Sequence, residues 1–133
     1  MEPPMSRIAL ALAALIAATP GLAGAGDHAL LQAAFGNTIV STYPDGRTGE
    51  LWLQPDGNYT AEGRRHDRSR GHWQIKGERL CLKQSHPFAF GYVYCAPLAQ
   101  VRIGASWTAK AVTGEPIKVS LVRGRYDPAA EKG

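Results

Sequence analysis

Two copies of one tripeptide, Pro44-Asp45-Gly46 and Pro55-Asp56-Gly57, constrain this chain more than any other feature. In each, Pro presets the first turn angle, Asp bonds back to the backbone and Gly takes the positive φ that other residues resist, which makes a hairpin turn. Around them Leu51-Trp52-Leu53, Tyr59-Thr60-Ala61 and Gly71-His72-Trp73-Gln74-Ile75 follow one another with little slack. Three short apolar-bearing runs separated by turns predict three consecutive antiparallel strands, the middle of a β-meander. Two copies are too few to make a repeat protein.

Alternation sorts the faces. Leu51 and Leu53 lie opposite Trp52 and Gln54, Tyr59, Ala61 and Gly63 opposite Asn58, Thr60 and Glu62, and Trp73 and Ile75 opposite His72, Gln74 and Lys76. Residues 37–43, rich in Thr, Ile, Val and Tyr, predict a first strand. The strict alternation of 101–111 predicts one long strand with Gly104 as its bending point, and Ile117, Val119 and Leu121 a closing one. Ahead of these, residues 27–35 carry helix chemistry, with Asp27 as cap and Gly36 as stop. A helix this short is marginal alone, so it is expected to lean its Leu and Phe side chains on the sheet.

Cys81 and Cys95 are the only cysteines. A symmetric hairpin that sets Cys81 opposite Cys95 also sets Leu82 opposite Tyr94 and Leu80 opposite Ala96, so a disulfide and apolar cross-strand pairs agree on one register. A redox or metal-binding pair is the alternative, without Cys-x-x-Cys spacing or a compact histidine cluster to support it.

The count is about eight strands, nearly all joined by short turns. Exposed sheet edges are a hazard, and closing the meander into an up-and-down barrel hides them most completely. The expected fold is therefore all-β, an antiparallel meander closed into a small barrel with a short N-terminal helix; a two-sheet β-sandwich is the alternative. At eight strands the interior is either filled by side chains or just wide enough for one small ligand.

The first 25 residues stand outside that domain. Arg7, the apolar run 8–18, the break at Thr19-Pro20-Gly21 and then Ala23-Gly24-Ala25 have the order of a secretory signal peptide cleaved after Ala25. The apolar run is too short to span a bilayer. One domain over 26–126 and a frayed polar tail over 127–133 are expected, in a periplasmic or secreted protein where two cysteines form a disulfide. The formal net charge of +4 biases such a protein toward anionic surfaces.

Gly36-Asn37-Thr38, the Asp56-Gly57 turn, Gly71-His72-Trp73 and the hairpin bearing Cys81 and Cys95 together resemble small exported proteobacterial domains of unknown function, and more broadly the calycins. The resemblance implies a lipocalin-like barrel and an envelope location. In true lipocalins Gly-x-Trp lies on the first strand of a longer chain, so the departure here bears on whether a ligand cavity is open. No activity is implied.

Several clusters are candidates for binding. Arg64, Arg65, Arg68 and Arg70 crowd one loop with His66, where guanidinium groups can grip phosphate or sulfate in bidentate fashion; a solvated loop that keeps the sheet soluble is the plainer reading. Nucleic acid is not expected, because no aromatic residue interleaves that run. Phe88 and Phe90 occupy a hairpin tip where polar residues are usual. They suit a lid, a protein partner or peripheral membrane contact, or else fold back to cap the core. Trp73 and Tyr94, with Trp52, Trp107, Tyr59 and Tyr92, either line a pocket or make up the core. His66, His72 and His86 match no compact metal motif, and no nucleophile, base or paired-carboxylate arrangement marks a catalytic site.

The expectation is a monomeric non-enzymatic exported binding protein, without cofactor or metal, holding a small apolar or amphipathic ligand in a barrel. The alternative is an interaction or inhibitor-type envelope protein that presents the basic loop and the Phe-bearing tip to an anionic envelope component or a partner. A cavity of a few hundred Å3 favours the first, a packed interior the second.

Overall fold

The computed structural model describes residues 25–98 and 101–126. Residues 1–24 of the expected signal peptide, and the expected tail, 127–133, lie outside the described residues. An α-helix, α1 (Ala25–Leu31), runs into a 3-10 turn (Gln32–Ala34), and eight strands follow. They are β1 (Thr38–Thr42), β2 (Thr48–Leu53), β3 (Asn58–Glu62), β4 (Arg68–Lys76), β5 (Arg79–His86), β6 (Val93–Pro97), β7 (Ser106–Lys110) and β8 (Pro116–Val122). Asp27 lies within the helix and not ahead of it, so it does not serve as the expected cap.

All strands pair antiparallel in one sheet of order β6-β5-β4-β3-β2-β1-β8-β7. The last strand returns beside the first, and β6 and β7, the two ends of the order, meet across a remaining gap. The result is a nearly closed eight-stranded barrel, as the meander required, rather than a two-sheet sandwich. Gly46 and Gly57 hold φ of 86° and 93°, the positive values demanded of the third residue of each Pro-Asp-Gly turn.

Inward-facing side chains form one core. Ile39, Leu53, Tyr59, Trp73, Leu80, Ile117, Val119 and Leu121 are buried together with Leu31 and Ala34 from the N-terminal segment. That segment closes one end of the barrel. Phe35 lies 6.0 Å from the ring of Trp73, and the Trp73 indole donates to the Gln54 carbonyl at 2.8 Å. A short helix thus gains through packing the stability it lacks alone.

Residues 101–111 do not form one strand. Gly104 takes φ 88°, Ala105 N–H donates to the Arg102 carbonyl at 3.0 Å, and regular pairing begins only at Ser106. The alternation over 101–105 instead belongs to a turn that lays Val101 and Ile103 against the core. Apolar periodicity recorded which side chains face inward, and here a turn satisfies that without a ladder.

Cys81 and Cys95 are bonded, and the register is Leu80 opposite Ala96, Cys81 opposite Cys95 and Leu82 opposite Tyr94. Closing a loop of this size contributes roughly 3 kcal/mol on a chain-entropy model. Beyond β8 the chain turns over the outer face of β1 and β2. There the Thr38 hydroxyl donates to the Gly124 carbonyl at 2.7 Å and accepts from Trp52 Nε1 and Tyr126 N, each at 2.8 Å.

Candidate functional site

The end of the barrel opposite the helix is formed by the loops 43–47, 63–67, 87–92 and 111–115. Between them lies a cavity of about 380 Å3. Its walls are inward positions of the strands: Leu51 from β2, Tyr59 and Ala61 from β3, Leu82 and Gln84 from β5, Tyr94 from β6 and Ile117 from β8. Small residues make the room, since Ser41, Gly49, Gly63, Ser69 and Ala111 stand where larger side chains would fill the mouth. The floor is apolar, and Ser41, Ser69 and Gln84 supply hydrogen-bonding groups nearer the rim.

Burial pushes the phenols of Tyr43, Tyr59 and Tyr94 above the ordinary tyrosine range. At Tyr43 the positive charge of Arg64 opposes that shift without cancelling it. All three phenols are therefore neutral at neutral pH.

The rim has two unlike arcs. On one, Arg64 stacks 4.2 Å over the Tyr43 ring and places both terminal reaches of its guanidinium on acids, Glu115 at 3.0 and 3.2 Å and Asp45 at 3.4 Å. One side chain thereby ties three loops together. The Thr113 hydroxyl and then Arg64 hold the Glu115 carboxyl below its usual value, while the Arg47 backbone N–H chiefly does so for Asp45.

On the other arc, Phe88 and Phe90 stand 70% and 87% exposed with their rings 4.9 Å apart. They do not fold back to cap the core. Ala89 between them, with Tyr92 and Val112, lines the cavity, so the exposed apolar tip is continuous with the cavity wall. Phe90 adopts φ 56°, a conformation that bulky residues rarely take.

The structure separates residues that the sequence grouped. Of the four arginines, Arg64 is held by acids at the rim, Arg65 is exposed in the loop, and Arg68 and Arg70 lie on the outer face of β4. Tyr94 lines the cavity, as a pocket reading allowed, but Trp73 is 4% exposed in the core toward the closed end and Trp52 is on the outer face. Among the described residues no group of His, Cys, Asp and Glu is arranged to hold a metal ion. Tyr43, Leu82, Gln84 and Val112 were not singled out by sequence. Leu82 and Gln84 were legible as inward positions of their strand, whereas nothing local marked Val112.

The chain matches no protein-family model, no curated protein and no solved structure with which it was compared.

Proposed function

We propose that this is a non-enzymatic binding protein of the bacterial periplasm or exterior, a lipocalin-like barrel that holds one small apolar or amphipathic ligand in its open end. The observation that carries the reading is the cavity of about 380 Å3, within the size range of small-molecule sites and walled mainly by apolar and tyrosine side chains. The disulfide fits an oxidising compartment, and no described helix is long and apolar enough to cross a membrane. The apolar body of the ligand would pack on Leu51, Leu82 and Ile117, with a polar end toward Ser69 and Gln84.

Delipidated protein should bind a fluorescent fatty-acid analogue saturably at one site, and protein taken from its native host should carry an extractable small molecule seen by native mass spectrometry. Ala61→Phe fills the cavity from β3 and should abolish binding while leaving the near-ultraviolet circular dichroism folded. Absence of saturable binding by folded protein, or binding that survives this substitution, rules the reading out. A second reading, in which the rim is itself the contact surface, is favoured by the exposed Phe88 and Phe90. It predicts that Phe88→Ser with Phe90→Ser removes partner or vesicle binding and leaves the analogue bound.

A further inference from the structure

We infer a second binding site, for a phosphomonoester, on the outer face of the barrel between Arg70 and Arg125. The register sets Trp52 opposite Thr60, Thr60 opposite Arg70 and Arg70 opposite His86, one straight row across the outside of β2, β3, β4 and β5. These residues, with Arg125, line a groove of about 270 Å3. Neighbouring strands are roughly 4.8 Å apart, so Trp52 and Arg70 are two strand spacings from each other with Thr60 between. Arg125 comes from the segment after β8, and its guanidinium stacks 3.8 Å over the Trp52 ring. Two cations of very different sequence position thus flank a hydroxyl.

Counter-charge is what distinguishes this groove from the rest of the basic surface. Glu62, also in the groove wall, is already engaged by Arg68 at 3.4 Å and His66 at 3.1 Å. Arg64, from the loop before β4, is held by Glu115 and Asp45 instead. Among the described residues no carboxylate pairs with Arg70 or Arg125.

The number and kind of donors point to the ligand. A carboxylate has two oxygens in one plane and satisfies a single guanidinium fork, whereas a phosphate ester offers three acceptor oxygens and can span two forks while taking the Thr60 hydroxyl. Stacking on Trp52 removes part of the rotamer freedom of Arg125 before the ligand arrives, which lowers the ordering cost of binding.

The test is calorimetric titration of the folded protein with inorganic phosphate, and flotation with phosphatidylcholine vesicles with and without phosphatidic acid. Arg70→Ser and Arg125→Ser should each weaken phosphate binding by about ten-fold or more, the scale of a lost hydrogen bond to a charged group. Arg65→Ser and Lys76→Ser make the same charge change outside the groove and should stay within about two-fold, as exposed charges do. If the same two groove substitutions also release the protein from phosphatidic acid vesicles, the phosphomonoester belongs to a lipid headgroup; if vesicles never bind, it belongs to a soluble metabolite. Equal weakening by all four substitutions would mean bulk attraction to a basic protein and would overturn the site, as would the lack of saturable phosphate binding.

Discussion

The Tyr94 hydroxyl donates to the Lys110 carbonyl at 2.5 Å, across the gap between β6 and β7 where the strand order ends. A side chain thus spans the place where the backbone ladder does not close the barrel. Tyr94→Phe removes that bond, but Lys110 lies on an exposed edge and its carbonyl can turn to water. The expected cost is about 1 kcal/mol in urea unfolding. Amide exchange should quicken in β6 and β7 and stay unchanged in β2 and β3; a uniform change would contradict the bridging role.

Alkaline pH should weaken the barrel through the same kind of residue. The phenols of Tyr43, Tyr59 and Tyr94 are raised, chiefly by burial, so the folded state holds those protons more tightly than the unfolded chain. Their contribution is fully present below the unfolded value near 10 and is lost as pH rises through the folded values. Denaturation midpoints measured from about pH 9 upward should fall, with the tyrosinate absorbance appearing later in folded than in unfolded protein.

The meander was legible because its signals are local. Each Pro-Asp-Gly carries its own turn, and each alternating run names its own inward face, so Leu53, Tyr59 and Leu80 reach the core as the pattern required. Two kinds of information were not local. Residues 101–105 alternate as a strand would, yet Gly104 at positive φ makes them a turn, because burial of Val101 and Ile103 can be met either way. The basic loop read as one patch, but the acids that take Arg64 come from loops distant in sequence, and Arg70 shares a groove with Arg125 from the far end of the domain. Cavity volume is likewise a sum over many strands, which no single stretch of sequence reports.

Gly71 supports a sharper expectation. It sits where the β4–β5 register shifts, and a Cβ there would stand 2.1 Å from the Lys83 carbonyl oxygen and 2.8 Å from Gln84 Cα, both backbone atoms. A flexible side chain could move aside, but a paired strand cannot. Gly71→Ala should cost about 3 kcal/mol, the upper end of overpacking penalties. Gly49→Ala meets nothing nearer than 3.4 Å and serves as the control in the same urea titration.

Acid should open the rim before it unfolds the barrel. The carboxyls of Glu115 and Asp45 are held low by the contacts already described, so their contribution is present above the unfolded values of 4.5 and 3.8 and disappears as pH falls through the folded ones. The Arg64 guanidinium should then detach and free three loops. The side-chain Nε–Hε resonance of Arg64 should move as pH is lowered from about 5 to about 3. In Glu115→Gln the low-pH position should be approached already at neutral pH, and an unmoved resonance would contradict the tie.

Thr38 decides whether the outer face keeps its arginine. Its side chain is fully buried, and its hydroxyl serves Gly124, Trp52 and Tyr126 at once, two of them in the segment that carries Arg125. Thr38→Val keeps the shape but leaves the Trp52 indole N–H, the Tyr126 N–H and the Gly124 carbonyl without that partner. The expected loss is about 1 to 3 kcal/mol, the cost of stranding buried polar groups. Because the barrel strands do not depend on residues 123–126 for their ladder, the substitution should act on that segment first. Proteolysis after Arg123 or Arg125 should become faster at temperatures where β2 and β3 remain protected from exchange, and phosphate affinity should fall as it does in Arg125→Ser. If the segment stays protected while global stability drops, the hydroxyl supports the barrel rather than the segment, and the coupling between Thr38 and the outer groove is wrong.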